Sequence, residues 1–137
     1  MHGYPFSGNG LKIILYRSVA DKNLTQVEFN GIVEAANSFN SKNGITGLIL
    51  FVQGRFFQWI EGDDEVVNQL YSRIEVDPRH RYVQLLIERS SHVRYFEKWG
   101  MLSSWILEKE APGILCASDG ELIQKFIHYS QIAGEGF

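Results

Sequence analysis

Apolar residues line both sides of a strand at residues 11–18, with Leu11, Ile13 and Leu15 on one side and Ile14, Tyr16 and Ser18 on the other. Both rows are largely apolar, which predicts a central strand covered on both faces. A helical period then takes over. Thr25-Gln26-Val27-Glu28 is a capping box, in which the Thr and Glu side chains satisfy each other's backbone N–H groups. Leu24 and Phe29 flank it as a hydrophobic staple. Phe29, Ile32, Val33, Ala36 and Phe39 repeat at helical spacing. Asn43-Gly44 ends the helix, because Gly tolerates the left-handed conformation that a C-cap needs.

Two strands follow, residues 45–52 and 55–61, joined by Gln53-Gly54 in a tight hairpin. On the second of them Phe56, Gln58 and Ile60 share one face, and Phe57, Trp59 and Glu61 share the other. Gln58 is thus a polar residue in a row expected to be buried. Gly62 and Asp63 open a second helix with acidic residues at its positive end; Val66, Val67, Leu70, Tyr71 and Ile74 form its apolar stripe, and Asp77-Pro78 closes it. A fourth strand is predicted over 82–88, then a polar crossing over 89–94, then a fifth element with Trp99, Met101 and Ser103 alternating. Pro112-Gly113 breaks the chain ahead of a last helix over 119–132.

The order β-α-β-β-α-β-β is the ferredoxin-like pattern with one strand added. The expected architecture is α+β: a five-stranded mixed sheet, two helices on one face and a C-terminal helical tail. Residues 1–10 are expected to form a loose arm, 11–105 the domain and 106–137 the extension. The tail is expected either to cover the other sheet face, where Phe57 and Trp59 would otherwise be bare, or to form a partner surface.

Length and composition narrow the function. At 137 residues, 45% hydrophobic and 21% charged, the chain has room for one domain with a true core. A net charge of −3 argues against nucleic acid as the main partner. A single cysteine, Cys116, excludes an internal disulfide framework and fits a reducing compartment. No signal-peptide pattern opens the chain, and the longest apolar run, 48–52, is far too short to cross a bilayer, so a cytoplasmic protein without membrane contact is expected. Phosphate-loop, dinucleotide, zinc-protease and hydrolase signatures are absent, and the four histidines lack metal-ligand spacing.

Three polar residues stand out by position: Tyr16, Asn40 and Gln58. Buried phenol and amide groups must be hydrogen-bonded or cost about 1–3 kcal/mol each. Tyr16 and Gln58 satisfying one another across neighbouring strands would meet that need with no function attached.

Taken together, I-L-Y-R-S-V-A at 14–20, N-x-x-x-x-I-T-G at 40–47, G-x-F-x-Q-x-x-E-G at 54–62, D-x-R-H at 77–80 and R-Y-F-E-K-W-G-M at 94–101 resemble the BLUF family of flavin-using blue-light sensors. The resemblance runs from Leu11 to Ser103 in family order without a large insertion. It implies a flavin held noncovalently between the two helices, FAD, FMN or riboflavin, and no catalytic turnover. It implies that Tyr16 is the photoactive tyrosine, Gln58 the glutamine bridging it to the flavin, and Asn40 a ligand of the flavin carbonyl region. Electron transfer from Tyr16, proton transfer through Gln58 and recombination would leave an altered hydrogen bond at the C4 carbonyl and a red-shifted spectrum that recovers in darkness. Ile32 and Phe39 match pocket-lining positions, Phe39 in a packing role. Arg79 and His80 match a motif that contacts the flavin, with a solvated cationic turn as the alternative. Trp99 and Met101 match the pair implied to carry the signal to the sheet edge and tail. An unidentified partner protein would receive it, and a homo-oligomer is expected.

Two other classes compete. A small ferredoxin-like hydrolase would use Arg17 in a backbone cradle, but no Gly-rich stretch precedes it. An RNA-binding sheet would stack bases on Phe57 and Trp59, against the acidic charge.

Overall fold

A computed structural model describes residues 10–21, 23–96, 100–105 and 111–133. In chain order these form β1 (Leu11–Ala20), α1 (Gln26–Asn43), β2 (Thr46–Val52), β3 (Arg55–Asp63), α2 (Asp64–Glu75), β4 (His80–Ser91), β5 (Gly100–Trp105), α3 (Ala111–Leu115) and α4 (Asp119–Ala133). The sheet order is β4-β1-β3-β2-β5. The first four strands form an antiparallel α+β sheet of ferredoxin-like order, and β5 adds to β2 in parallel at the edge.

Alternation along β1 and β3 feeds two separate cores. On the front face Ile14, Phe56 and Ile60 pack with Phe29 and Val33 of α1 and Val67 of α2. On the back face Ile13, Leu15, Phe57 and Trp59 pack with Ile114, Leu122 and Phe126. The tail therefore covers the back of the sheet: Trp59 stacks on Phe126, nearly parallel to it and with ring centroids 5.9 Å apart. Bases could not stack on Phe57 or Trp59, since both are buried.

The start of α1 follows its sequence signal. Thr25 accepts from the Glu28 backbone N–H at 3.1 Å, and Glu28 accepts from the Thr25 N–H at 3.0 Å. Gly44 ends the helix at φ 68°, ψ 26° and donates its N–H to the Asn40 carbonyl. Gly47 is needed for another reason. A Cβ there would lie 1.8 Å from the Trp59 carbonyl oxygen, so only Gly lets β2 lie this close to β3.

Several boundaries differ from the sequence-based expectation. β1 continues through Val19 and Ala20, which pair with Arg81 and His80 of β4. The crossing expected from residue 89 begins only after Ser91, because Arg89, Ser90 and Ser91 still pair with Ile13, Lys12 and Leu11. β4 is an edge strand with much of its surface exposed, so backbone pairing holds it without an apolar pattern. β3 runs to Asp63, and α2 begins one residue later with no side-chain cap bond from Asp63. Pro112-Gly113 lies inside the short helix α3 instead of breaking the chain; a proline fits the first turn, where its missing N–H has no intrahelical partner anyway. The expected N-terminal arm, apart from Gly10, and Trp99 lie outside the described residues.

Candidate functional site

Strand pairing sets the centre of the site. Tyr16 of β1 and Gln58 of β3 are direct cross-strand partners, and both face the helices. The Tyr16 hydroxyl donates to the Gln58 side-chain oxygen. Both are buried, at 3% and 6% exposure. Burial, with a smaller contribution from Tyr71, pushes the Tyr16 phenol well above its ordinary pKa, so the hydroxyl keeps its proton. Its ring also meets Tyr71 at 5.8 Å and the edge of His80 at 6.1 Å.

α1 brings in the third polar group. Asn40 is 2% exposed, and its backbone carbonyl accepts the N–H groups of both Gly44 and Ile45. These two backbone hydrogen bonds, one from the C-cap and one from the residue after it, fix Asn40 in the last turn of the helix.

Between α1 and α2 a cleft of about 320 Å³ opens above this cluster. Its volume falls within the range of small-molecule sites, roughly 300–1,000 Å³. Tyr16, Ile32, Phe39, Asn40, Gln58, Arg79 and His80 all line it. Every residue singled out as cofactor-binding from the sequence is thus brought to one cavity. Ala35, Ala36, Ile49, Phe56, Leu70, Arg73 and Ile74 complete the lining. Ala36, Leu70 and Ile74 belonged to recognised helix stripes, but Ala35 and Arg73 were missed. Both are solvent-exposed helix residues, and exposure reads as surface unless a cleft is known to lie beneath. Arg73 lies over the Phe39 ring, 4.4 Å from its centroid.

The D-x-R-H residues are ordered at the cleft wall. Arg79 makes a fork onto Asp77, with Nε 3.1 Å from each carboxylate oxygen and Nη2 2.6 Å from Oδ2. That guanidinium holds the Asp77 carboxyl below its ordinary pKa. His80 bridges the Ser18 hydroxyl, 2.7 Å from Nδ1, and the Ile74 carbonyl, 2.7 Å from Nε2. Since a carbonyl only accepts, Nε2 carries a proton. Met101 lies on β5 opposite Gly47 of β2. Arg17 is turned away, donating to Gln84 on β4 at 2.9 Å, which removes the residue a hydrolase reading required. Among the described residues no group of three or more His, Cys, Asp or Glu is placed to hold a metal ion, and no helix is long and apolar enough to cross a membrane.

Residues 11–102 match BLUF, sensors of blue-light using FAD. The chain belongs to the BLUF family. A blue light- and temperature-regulated antirepressor of Escherichia coli (strain K12) is 34% identical over 91 residues, which is 66% of this chain but 23% of that protein. The Klebsiella pneumoniae protein BlrP1, solved with FMN and cyclic diGMP, is 31% identical with a TM-score of 0.69, covering 86% of this chain and 36% of that one. The dark-state structure of the BLUF protein BlrB shares the fold at 24% identity, with a TM-score of 0.74 over 91% of this chain and 97% of that one. BLUF domains bind flavin, and relatives join them to signalling outputs. The family's described role is light sensing.

The cleft's chemistry fits a flavin. Apolar side chains of Ile32, Ala35, Ala36 and Ile74 offer faces for a flat ring, while the amides of Asn40 and Gln58 offer donors and acceptors for the carbonyls and nitrogens of its edge.

Proposed function

We propose that this BLUF protein is a blue-light receptor module that binds a flavin noncovalently in the α1–α2 cleft, with Tyr16 and Gln58 as its photoactive pair. Asn40 and Gln58 hold the polar edge of the ring, Ile32 and Phe39 its sides, and Arg79 and His80 the end of the cleft near α2. FAD is the flavin of the family description, and FMN and riboflavin carry the same ring. Flavin binding is assigned to residues 11–105, with 106–137 as an extension.

The bound flavin supplies absorption of blue light and an acceptor for one electron. Tyr16 is the donor. A phenol that gives up an electron becomes strongly acidic, and its hydrogen bond leads the proton to the Gln58 oxygen. When electron and proton return, Tyr16 is restored. Gln58, whose amide carries a donor and an acceptor on one swivelling group, settles in a second hydrogen-bonding arrangement. Nothing is turned over, so the product of the cycle is a changed contact at the base of the cleft, passed to a partner protein through β5, where Met101 lies, with Trp99 beside it in sequence. The observation that carries this reading is the buried Tyr16–Gln58 hydrogen bond at the floor of the α1–α2 cleft.

Absorption spectroscopy tests it. The flavin-loaded protein should be yellow, shift red under blue light and revert in darkness. Tyr16→Phe and Gln58→Leu should keep the flavin and lose the shift. Normal photocycling in either variant refutes the assigned roles.

A further inference from the structure

One buried carboxyl takes no part in the cleft. Glu61 lies on the back of β3, wholly buried. Its carboxylate accepts from Trp59 Nε1 at 2.8 Å, from the Phe96 backbone N–H at 2.8 Å and from Thr46 Oγ1 at 3.2 Å. Arg94 Nη1 donates to Thr46 Oγ1 at 2.9 Å and to the Glu61 carbonyl at 3.4 Å. Burial pushes the carboxyl above its ordinary pKa, and the donors pull it back. A carboxylate is kept in such a place only where its donors compensate for lost water. Thr46 and Glu61 come from the I-T-G and E-G stretches, whose residues the cleft does not use.

The donors belong to different parts of the fold. Thr46 starts β2, Trp59 lies next to Gln58 in β3, and Phe96 lies in the crossover that leads toward β5. Trp59 in turn stacks on Phe126 of α4 and meets Tyr95 at 5.6 Å. Successive residues of a strand face opposite ways, so a twist of β3 at Gln58 also moves Trp59 and Glu61 on the other face.

We infer that Glu61 is a positioning residue that clamps the β4–β5 crossover and, through Trp59, helix α4 to the strand carrying Gln58, so that a rearrangement at Gln58 is felt at α4. This relay rests on the light-sensing reading above; the clamp itself does not. Glu61→Gln is the sharpest perturbation. An amide keeps the shape but presents an NH₂ where the carboxylate accepted, so it faces one of its former donors with another donor.

Residue-resolved amide hydrogen exchange on the full flavin-loaded chain, dark and illuminated, tests this. In Glu61→Gln the dark exchange of the Phe96 amide should rise about tenfold or more, as expected for a local opening. The red shift should keep its wild-type size, while the light-minus-dark difference in α4 is lost. A purely structural role would change dark exchange and leave that difference in place. Trp59→Phe, which removes one donor and keeps a ring against Phe126, should reduce the difference partially, and it decides alone if Glu61→Gln does not fold. A Phe96 amide as protected as in the wild type, or an undiminished α4 difference, overturns the proposal. A wild-type protein without any light response overturns the light-sensing reading and the relay with it, and dark Phe96 exchange then decides the clamp.

Discussion

The two faces of the sheet are built from alternate residues of the same strands, yet they solve opposite problems. The back face is closed: Trp59, Phe57 and Leu15 are sealed by Leu122 and Phe126, and its buried carboxylate is fully engaged. The front face is split. Its helices meet the sheet through Phe29, Val33 and Val67 but part above Tyr16 and Gln58, leaving the cleft. One face stores stability and the other gives up packing for a site. Stability and function should therefore separate by face when residues are removed.

The largest effect is expected at the back. Trp59→Ala should cost about 3–5 kcal/mol in urea unfolding, as deletion of a fully buried aromatic does. Ile32→Ala, on the half-buried wall of the cleft, should cost about 1 kcal/mol while weakening flavin binding. Equal losses at the two positions would break the comparison. Tyr16→Phe in the flavin-free protein should cost about 1–2 kcal/mol, because the Gln58 oxygen loses a buried donor. Thr25→Ala, which removes the α1 cap at a solvent-exposed residue outside the cleft lining, should cost about 1 kcal/mol and leave the light response unchanged.

The pH dependence is smaller and has a definite sign. Tyr16 keeps its proton in the folded protein, whereas an unfolded tyrosine releases it near pH 10. Above that pH the unfolded chain binds fewer protons, so stability falls as pH rises. Unfolding midpoints measured between pH 9 and 11 should fall less steeply in Tyr16→Phe. A wild-type spectrum showing tyrosinate at Tyr16 near pH 9 would contradict the buried neutral phenol.

The sequence made the two faces legible to different degrees. Alternation in β1 and β3 put Tyr16 in one row with Ile14, and Gln58 in the row opposite Phe57 and Trp59, because a two-residue period admits no third choice. The α1 capping box was readable because its two bonds are local. The resemblance to the BLUF family implied seven cofactor-binding residues, and all seven line one cavity. What stayed hidden was non-local. The polar end of β4 is a strand only because β1 offers it backbone partners, and Arg73 matters only because α2 stands across an open cleft from α1. Glu61 read as one more polar end of a strand, since nothing near it in sequence announces Phe96 as its partner.

The most direct test of the account is a crystal structure of the protein grown in the dark with FMN. It should show the flavin ring between α1 and α2, its polar edge against Asn40 and Gln58, and the Tyr16 hydroxyl still bonded to the Gln58 amide. A ring bound elsewhere, or a cleft closed by Ile32 meeting Ile74, would contradict it.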